Sequence, residues 1–307
     1  VLDAARQGPL YLDRTASAPI VFLFLFRLLS RLPLGMLHGL GAVLGRAVWW
    51  AAPSYRSTLR ANLAQAGITD PAVADRAAAE MGKSILELPY IWLRPAADLI
   101  PRITPVDWHL VEAARASQRG VIFLTPHLGC FEVTAQYFVL ATPDRAPLTV
   151  LYRPPRKSAL RPLIETGRAR GNLRPVPANL AGVRQLFRAL RRGEAIGLLP
   201  DQVPSEGEGV WAPFFGRPAY TMTLPAKLQQ MTGATLLLAW GERLSKGRGW
   251  MLRIFPFEDV LGGTSEAQAT QINRAMEKLI RIAPDQYFWG YNRYKKPKGV
   301  EAPPVHP

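Results

Sequence analysis

Apolar positions change their spacing twice along this chain. From Ile20 to Trp50 they come in solid runs, Ile20-Val21-Phe22-Leu23-Phe24-Leu25-Phe26 and then Leu, Gly and Val positions from Leu32 to the pair Trp49-Trp50. Arg27, Arg31, Pro33 and Arg46 interrupt the runs. A helix that crosses a bilayer needs about 20 apolar residues without central charge. The stretch therefore predicts one or two hydrophobic helices lying in a membrane interface, with arginines at headgroup level and tryptophans at the boundary. A buried helical hairpin of a soluble domain fits the same pattern. No small-residue cleavage site follows a short apolar core, so a cleaved secretion signal is not expected. Residues 54–118 then read as helical: Met81, Ile85, Leu88 and Ile91-Trp92 recur at helix spacing, and Thr69-Asp70-Pro71 forms a cap with Pro in the first turn.

After residue 119 strands alternate with helices. The predicted strands are Gly120–Thr125, Pro147–Tyr152, Ala195–Pro200, Ala234–Trp240 and Trp250–Pro256, with Leu173–Pro177 as a shorter sixth. Between them run the stripe Leu180, Val183, Leu186-Phe187, Leu190 behind the cap Asn179, a second helix from Thr223 to Met231 stopped by Gly233, and a third from Thr264 to Ile282. This alternation predicts an α/β fold with a largely parallel central sheet flanked by helices, carrying an N-terminal hydrophobic helical membrane arm. The implied division is an arm over 1–53, a main domain over 54–298 and a loose tail over 299–307.

Composition adds a sign. Lys and Arg number 38 against 23 Asp and Glu, a net charge of +15. An acidic partner follows: a nucleic acid, an anionic membrane surface or a negatively charged substrate. Eleven of the cations fall between Arg153 and Arg192, opposed only by Glu165. Arg153, Arg168 and Arg170 are candidates for a phosphate or anionic headgroup, because guanidinium binds phosphate bidentately. Arg184 to Arg192 read as a solvated basic face. A nucleic-acid groove needs interleaved exposed aromatics, and this stretch offers only Tyr152 and Phe187, so no nucleic-acid partner is expected. Cys130 is the single cysteine, which excludes an intrachain disulfide and a Cys-based zinc site.

The candidate chemistry sits where the strand Gly120–Thr125 ends. Pro126 closes it, and His127-Leu128-Gly129-Cys130-Phe131-Glu132 follows. A His just past the carboxyl end of a strand, with a carboxylate five positions on, suits a general base and the acid that orients it. The structural alternative is a His packed under the sheet and a Glu on a helix face. His38, His109 and His306 have no comparable setting. A nucleophilic Cys130 needs its sulfur aimed at the imidazole; the spacing reads it as a small buried hydrophobe. Asp201, in Leu199-Pro200-Asp201-Gln202, also ends a strand. It is placed to orient a substrate hydroxyl, hold an arginine or cap a loop. There is no Gly-x-Ser-x-Gly elbow and no phosphate-binding P-loop.

Together these segments carry a resemblance. His127-x4-Glu132 after an apolar strand resembles the His-x4-Asp/Glu motif of the glycerolipid acyltransferase superfamily. Val150-Leu151-Tyr152-Arg153-Pro154, Gly167-Arg168-Ala169-Arg170, Leu199-Pro200-Asp201-Gln202, Ala212-Pro213-Phe214-Phe215-Gly216 and the block from Pro284 to Lys295 resemble, in order and spacing, the late acyltransferases of lipid A biosynthesis. The chain departs from that pattern at Pro155–Leu160 and at Tyr291-Asn292-Arg293.

The resemblance implies acyl transfer from a thioester donor, usually acyl carrier protein, to a hydroxyl of an anionic membrane glycolipid such as a lipid A precursor. His127 would deprotonate the hydroxyl and Glu132 would orient His127. A backbone amide at the helix start near Gly129 would serve the oxyanion. Arg153, Arg168, Arg170 and Asp201 would bind the headgroup or assist there. No metal or redox cofactor is implied. The expected place is the cytoplasmic face of a bacterial inner membrane, peripheral or monotopic. An acyl-CoA donor with a mannoside or other glycolipid acceptor stays open within the family. A Cys130-dependent hydrolase and a non-catalytic anionic-lipid-binding protein stay open outside it.

Overall fold

The uninterrupted apolar run Val121–Leu124 becomes a central strand. A computed structural model of the chain describes residues 23–142, 147–152, 167 and 170–303. Residues 23–30 are helical. The helices that matter below are α1 (Leu34–Ala51), α2 (Pro53–Gln65), α3 (Pro71–Leu86), α4 (Leu88–Leu93), α5 (His109–Ala116), α6 (Phe131–Ala141), α7 (Leu180–Arg191), α8 (Leu224–Thr232) and α9 (Ser265–Ile282). The strands are β1 (Ile103–Val106), β2 (Val121–Leu124), β3 (Leu148–Tyr152), β4 (Leu173–Pro177), β5 (Ala195–Leu198), β6 (Gly209–Phe214), β7 (Arg217–Met222), β8 (Thr235–Arg243) and β9 (Trp250–Pro256).

Seven strands form one sheet in the order β1-β9-β8-β2-β5-β3-β4. Every neighbouring pair is parallel except β8 with β9. In β2 the side chains alternate between two cores. Ile122 and Leu124 pack with α7, α8 and α9, while Val121 and Phe123 pack on the opposite face with α4, α5 and α6. A strand covered on both faces has no polar face to show, and its sequence reads as a continuous apolar run. All six predicted strands are present.

Three strands were not legible. β1 lies inside the stretch that read as helical; it is four residues long and contains Pro105, which an edge strand tolerates. β6 and β7 form a separate hairpin whose pairing runs from Gly209–Met222 to Phe214–Arg217. Its connection is Phe215-Gly216, both at positive φ, the geometry that matches strand twist in a two-residue turn. Pro213 and Pro218 disguise it in the sequence.

The hydrophobic arm packs on the domain along one face. α1 lies lengthwise on α3, and small residues let the two backbones touch: a Cβ on Gly45 would stand 2.1 Å from the Ala78 carbonyl oxygen. Leu34, Leu37, His38 and Trp49 are buried on this side. Met36, Leu40, Val43, Leu44, Val48 and Trp50 are exposed on the other, as are Phe24, Leu25 and Leu28 in the preceding helix. Among the described residues, no helix is long and apolar enough to cross a membrane. Residues 1–22 of the expected arm lie outside the described residues.

Beneath α1 lies a buried ionic cluster. Glu87 accepts from Arg243 Nε at 2.9 Å and Nη2 at 2.5 Å and from Trp250 Nε1 at 3.2 Å, and it pairs with His38 Nε2 at 3.0 Å. Arg243 also reaches Glu80 at 2.6 Å. Burial acts to raise the Glu87 pKa, but Arg243 and His38 outweigh it and bring the carboxyl down to about 2. Arg243 in turn donates to the Gly129 carbonyl at 3.1 Å, which joins this cluster to the loop that carries His127.

Candidate active site

β2 and β5 run side by side, with Leu124 opposite Leu198. Their carboxyl ends therefore deliver His127 and Asp201 to one place, although the two residues stand 74 positions apart. Asp201 Oδ1 meets His127 Nδ1 at 2.8 Å, and Asp201 Oδ2 accepts from the His127 backbone N–H at 2.9 Å. The Asp201 side chain is 2% exposed and that of His127 16%. A carboxylate on Nδ1 fixes the proton there and leaves the Nε2 lone pair outward, the tautomer a base needs. Gln202 Nε2 stands 3.1 Å from that lone pair. Burial acts to raise the Asp201 pKa, yet the His127 charge, its two hydrogen bonds and Arg293 outweigh it and hold the carboxyl below its ordinary value.

The loop between His127 and α6 is gripped from both sides. Gly129 donates to the Gln286 carbonyl at 2.9 Å, Cys130 to the Gly241 carbonyl at 2.7 Å, and Phe288 donates to the His127 carbonyl at 3.0 Å. Gly129 has φ +58°, and a Cβ there would stand 2.2 Å from the Gly241 oxygen, so a side chain is excluded on both counts. The amides of Leu128, Gly129 and Cys130 all donate to carbonyls within the fold. The block from Pro284 onward also secures the Asp201 side. Tyr291 Oη accepts from Val203 N–H at 3.0 Å, and buried Arg293 donates to the Tyr220 carbonyl at 2.6 Å and Thr221 Oγ1 at 2.7 Å.

The other expected residues fall as follows. Glu132 sits in the first turn of α6, where negative charge is favoured. It is buried and accepts from Trp92 Nε1 at 3.1 Å. The carboxylate on the His127 ring is thus that of Asp201, whose two oxygens take the imidazole and the His127 backbone N–H. Both Glu132 and His127 line one cavity. Arg170 donates to the carbonyls of Ile91 at 2.6 Å and Arg94 at 2.5 Å, which anchors the chain before β4 to α4. Arg153 and Arg168 lie outside the described residues. Cys130 is buried, and burial with the nearby Glu87 pushes its thiol well above the ordinary value, so it packs and is no nucleophile. Gln202 and the clamp at Gln286–Phe288 went unassigned in the sequence. Gln202 had one legible signal, its place one residue after Asp201 at a strand end.

The cavity has a volume of about 660 Å³, within the range of roughly 300–1,000 Å³ typical of small-molecule sites. Phe123, Ala135, Phe138, Leu148, Val150, Leu173, Leu252 and Ile254 line it from the α6 side. Leu180, Val183, Val203 and Leu224 line it from the α7–α8 side. The walls are predominantly apolar, and His127, Glu132 and Gln202 are among the polar residues that line the space.

A base poised beside an apolar cavity can take a proton from a hydroxyl next to a hydrocarbon, the equipment of an O-acyltransferase. A model of the bacterial lipid A biosynthesis acyltransferase family matches residues 12–296. The chain belongs to this family and is an O-acyltransferase. It is 26% identical over 223 residues to a lipid A biosynthesis lauroyltransferase of Escherichia coli K12, covering 72% of this chain and 71% of that protein. It is likewise 26% identical over 216 residues to the palmitoleoyltransferase of the same strain, covering 70% and 69%. To a lipid A biosynthesis acyltransferase of Haemophilus influenzae it is 25% identical over 219 residues, covering 71% and 67%.

Proposed function

We propose that this chain transfers a fatty acyl group from a carrier-protein thioester to a hydroxyl of a lipid A precursor. The observation that carries the reading is the His127–Asp201 pair, with His127 lining the apolar cavity. The acceptor hydroxyl gives its proton to His127 Nε2 and attacks the thioester carbonyl directly. Asp201 holds the tautomer and stabilises the imidazolium; general base assistance of this kind contributes about 10²–10⁴-fold. The acyl chain lies in the cavity, where each buried methylene contributes about 0.8 kcal/mol. Glu132 is a second acid on the same wall, required for turnover, and Arg153 and Arg168 are the headgroup ligands of this reading. Names of the relatives support lauroyl or palmitoleoyl donors and a lipid A acceptor.

The chain works as a peripheral protein of the inner membrane's cytoplasmic face. The exposed apolar side of α1 and residues 23–30 lies in the bilayer surface, and Arg27 and Arg31 meet anionic headgroups. The test is incubation of the purified chain with lauroyl carrier-protein thioester and a lipid A precursor, with mass spectrometry of the lipid. Gain of one acyl mass by wild type, and none with His127→Ala or Glu132→Ala at unchanged melting temperature, is the expected result. A His127→Ala chain with full turnover removes the mechanism.

A further inference from the structure

Proton transfer to His127 accounts for the acceptor hydroxyl but not for the thioester oxygen. Attack turns that oxygen into an oxyanion, and an enzyme that leaves it without a hydrogen-bond donor forfeits roughly 10²–10³ in kcat. The four loop amides from His127 to Cys130 are not free to help. His127 N–H donates to Asp201 Oδ2 at 2.9 Å, Leu128 N–H to the Pro126 carbonyl at 2.7 Å, Gly129 N–H to Gln286 at 2.9 Å and Cys130 N–H to Gly241 at 2.7 Å. Among the described residues, a side-chain donor stands at the reacting nitrogen instead. The Gln202 carboxamide lines the cavity, and its Nε2 lies 3.1 Å from His127 Nε2. Since Nδ1 carries its proton toward Asp201, the Nε2 lone pair accepts from Gln202 N–H. An acceptor hydroxyl must occupy that same position to lose its proton.

We infer that Gln202 is a catalytic hydrogen-bond donor of this site: the acceptor hydroxyl displaces its carboxamide from Nε2, and the freed N–H turns onto the oxyanion forming at the neighbouring thioester carbonyl. The neighbouring backbone holds the pivot still. Asp201 is bound to the His127 amide on one side, and Val203 N–H donates to Tyr291 Oη at 3.0 Å on the other. Side-chain rotation alone makes the change. In the step, the hydroxyl oxygen bonds to the carbonyl carbon, its proton passes to Nε2, and the carbonyl electron pair moves to oxygen. Collapse breaks the C–S bond, and the leaving thiolate takes the proton back from His127. Gln202 neither gains nor loses a proton.

This inference rests on the acyl-transfer reading, and the test separates the two. Wild type, Gln202→Ala and the isosteric Gln202→Glu are assayed with lauroyl carrier-protein thioester and a lipid A precursor, varying the donor, with thermal melts of each. Both variants are expected to lose about 10²-fold or more in kcat, with the donor KM within about threefold of wild type. Should Gln202→Ala melt lower, Gln202→Glu, which keeps the shape but offers no N–H, carries the comparison. A competent wild type with either folded variant at wild-type kcat, or with a loss lying in KM alone, overturns the inference and leaves the acyl-transfer reading standing. A wild type that moves no acyl group overturns both.

Discussion

His127 has two ring nitrogens, and the site gives each a different neighbour: a carboxylate on Nδ1 and a carboxamide on Nε2. Asp201→Asn keeps the shape but removes the preference for a proton on Nδ1. It is expected to lower kcat by about 10⁴-fold, as loss of the correct tautomer does in comparable pairs, and to lower the melting temperature modestly, because the ionised carboxyl stabilises the fold; steady-state assays and a thermal melt check this. Gly197 belongs to the same scale. It lines the cavity from the middle of β5, and a Cβ there would stand 3.1 Å from Val150 Cγ1. Gly197→Val fills that space and is expected to move preference toward shorter acyl donors, read by competition between short- and long-chain thioesters. His127 was legible as a candidate base because its signal is local, a His one residue past a closed strand. Asp201 was legible as a strand-end acid but not as the partner of His127. That pairing depends on β5 lying beside β2, and no local pattern encodes strand order.

At the scale of elements, α1 has two apolar faces with different duties. The inner face is fixed by backbone contact with α3, so Gly45→Leu is expected to destabilise the chain by about 3 kcal/mol or more, seen as a lower denaturant midpoint. The outer face carries Val43 and Leu44 in the open. Changing both to Asp is expected to weaken co-sedimentation with anionic liposomes roughly tenfold or more, with the melt unchanged; full retention on liposomes would remove the outer face as the docking surface. Beneath the helix, Glu87 compensates a fully buried guanidinium. Glu87→Ala leaves Arg243 without its main partner and is expected to cost about 3–5 kcal/mol by chemical denaturation. It should also loosen the loop at Gly129, where Arg243 ends. The hydrophobic periodicity announced α1, but could not divide its residues into packed and exposed sets, since both sets are apolar.

At the scale of the whole molecule, the two buried carboxyls held low, Glu87 and Asp201, make stability depend on acid. Glu87 titrates at about 2 and Asp201 below its ordinary value in the fold, and both rise to ordinary carboxylate values on unfolding. Their contribution is fully present above about pH 4.5 and is lost as pH falls through the folded values. The melting temperature is therefore expected to hold near neutrality and to fall on acidification below about pH 4.5, continuing toward pH 2. Glu87→Gln is expected to flatten part of that decline.

The sequence by itself determined the alternation of strands and helices, the continuous apolar strands of a sheet covered on both faces, and the position of the candidate base. Each of these is set by neighbours a few residues apart, through side-chain periodicity and the closing effect of proline and glycine. Only the tertiary structure decided which acid faces the imidazole, which carboxamide rests on Nε2, and that the block from Pro284 clamps the loop of His127. Those relations join residues far apart in sequence, brought together by strand order and by two cores closing on opposite faces of one sheet.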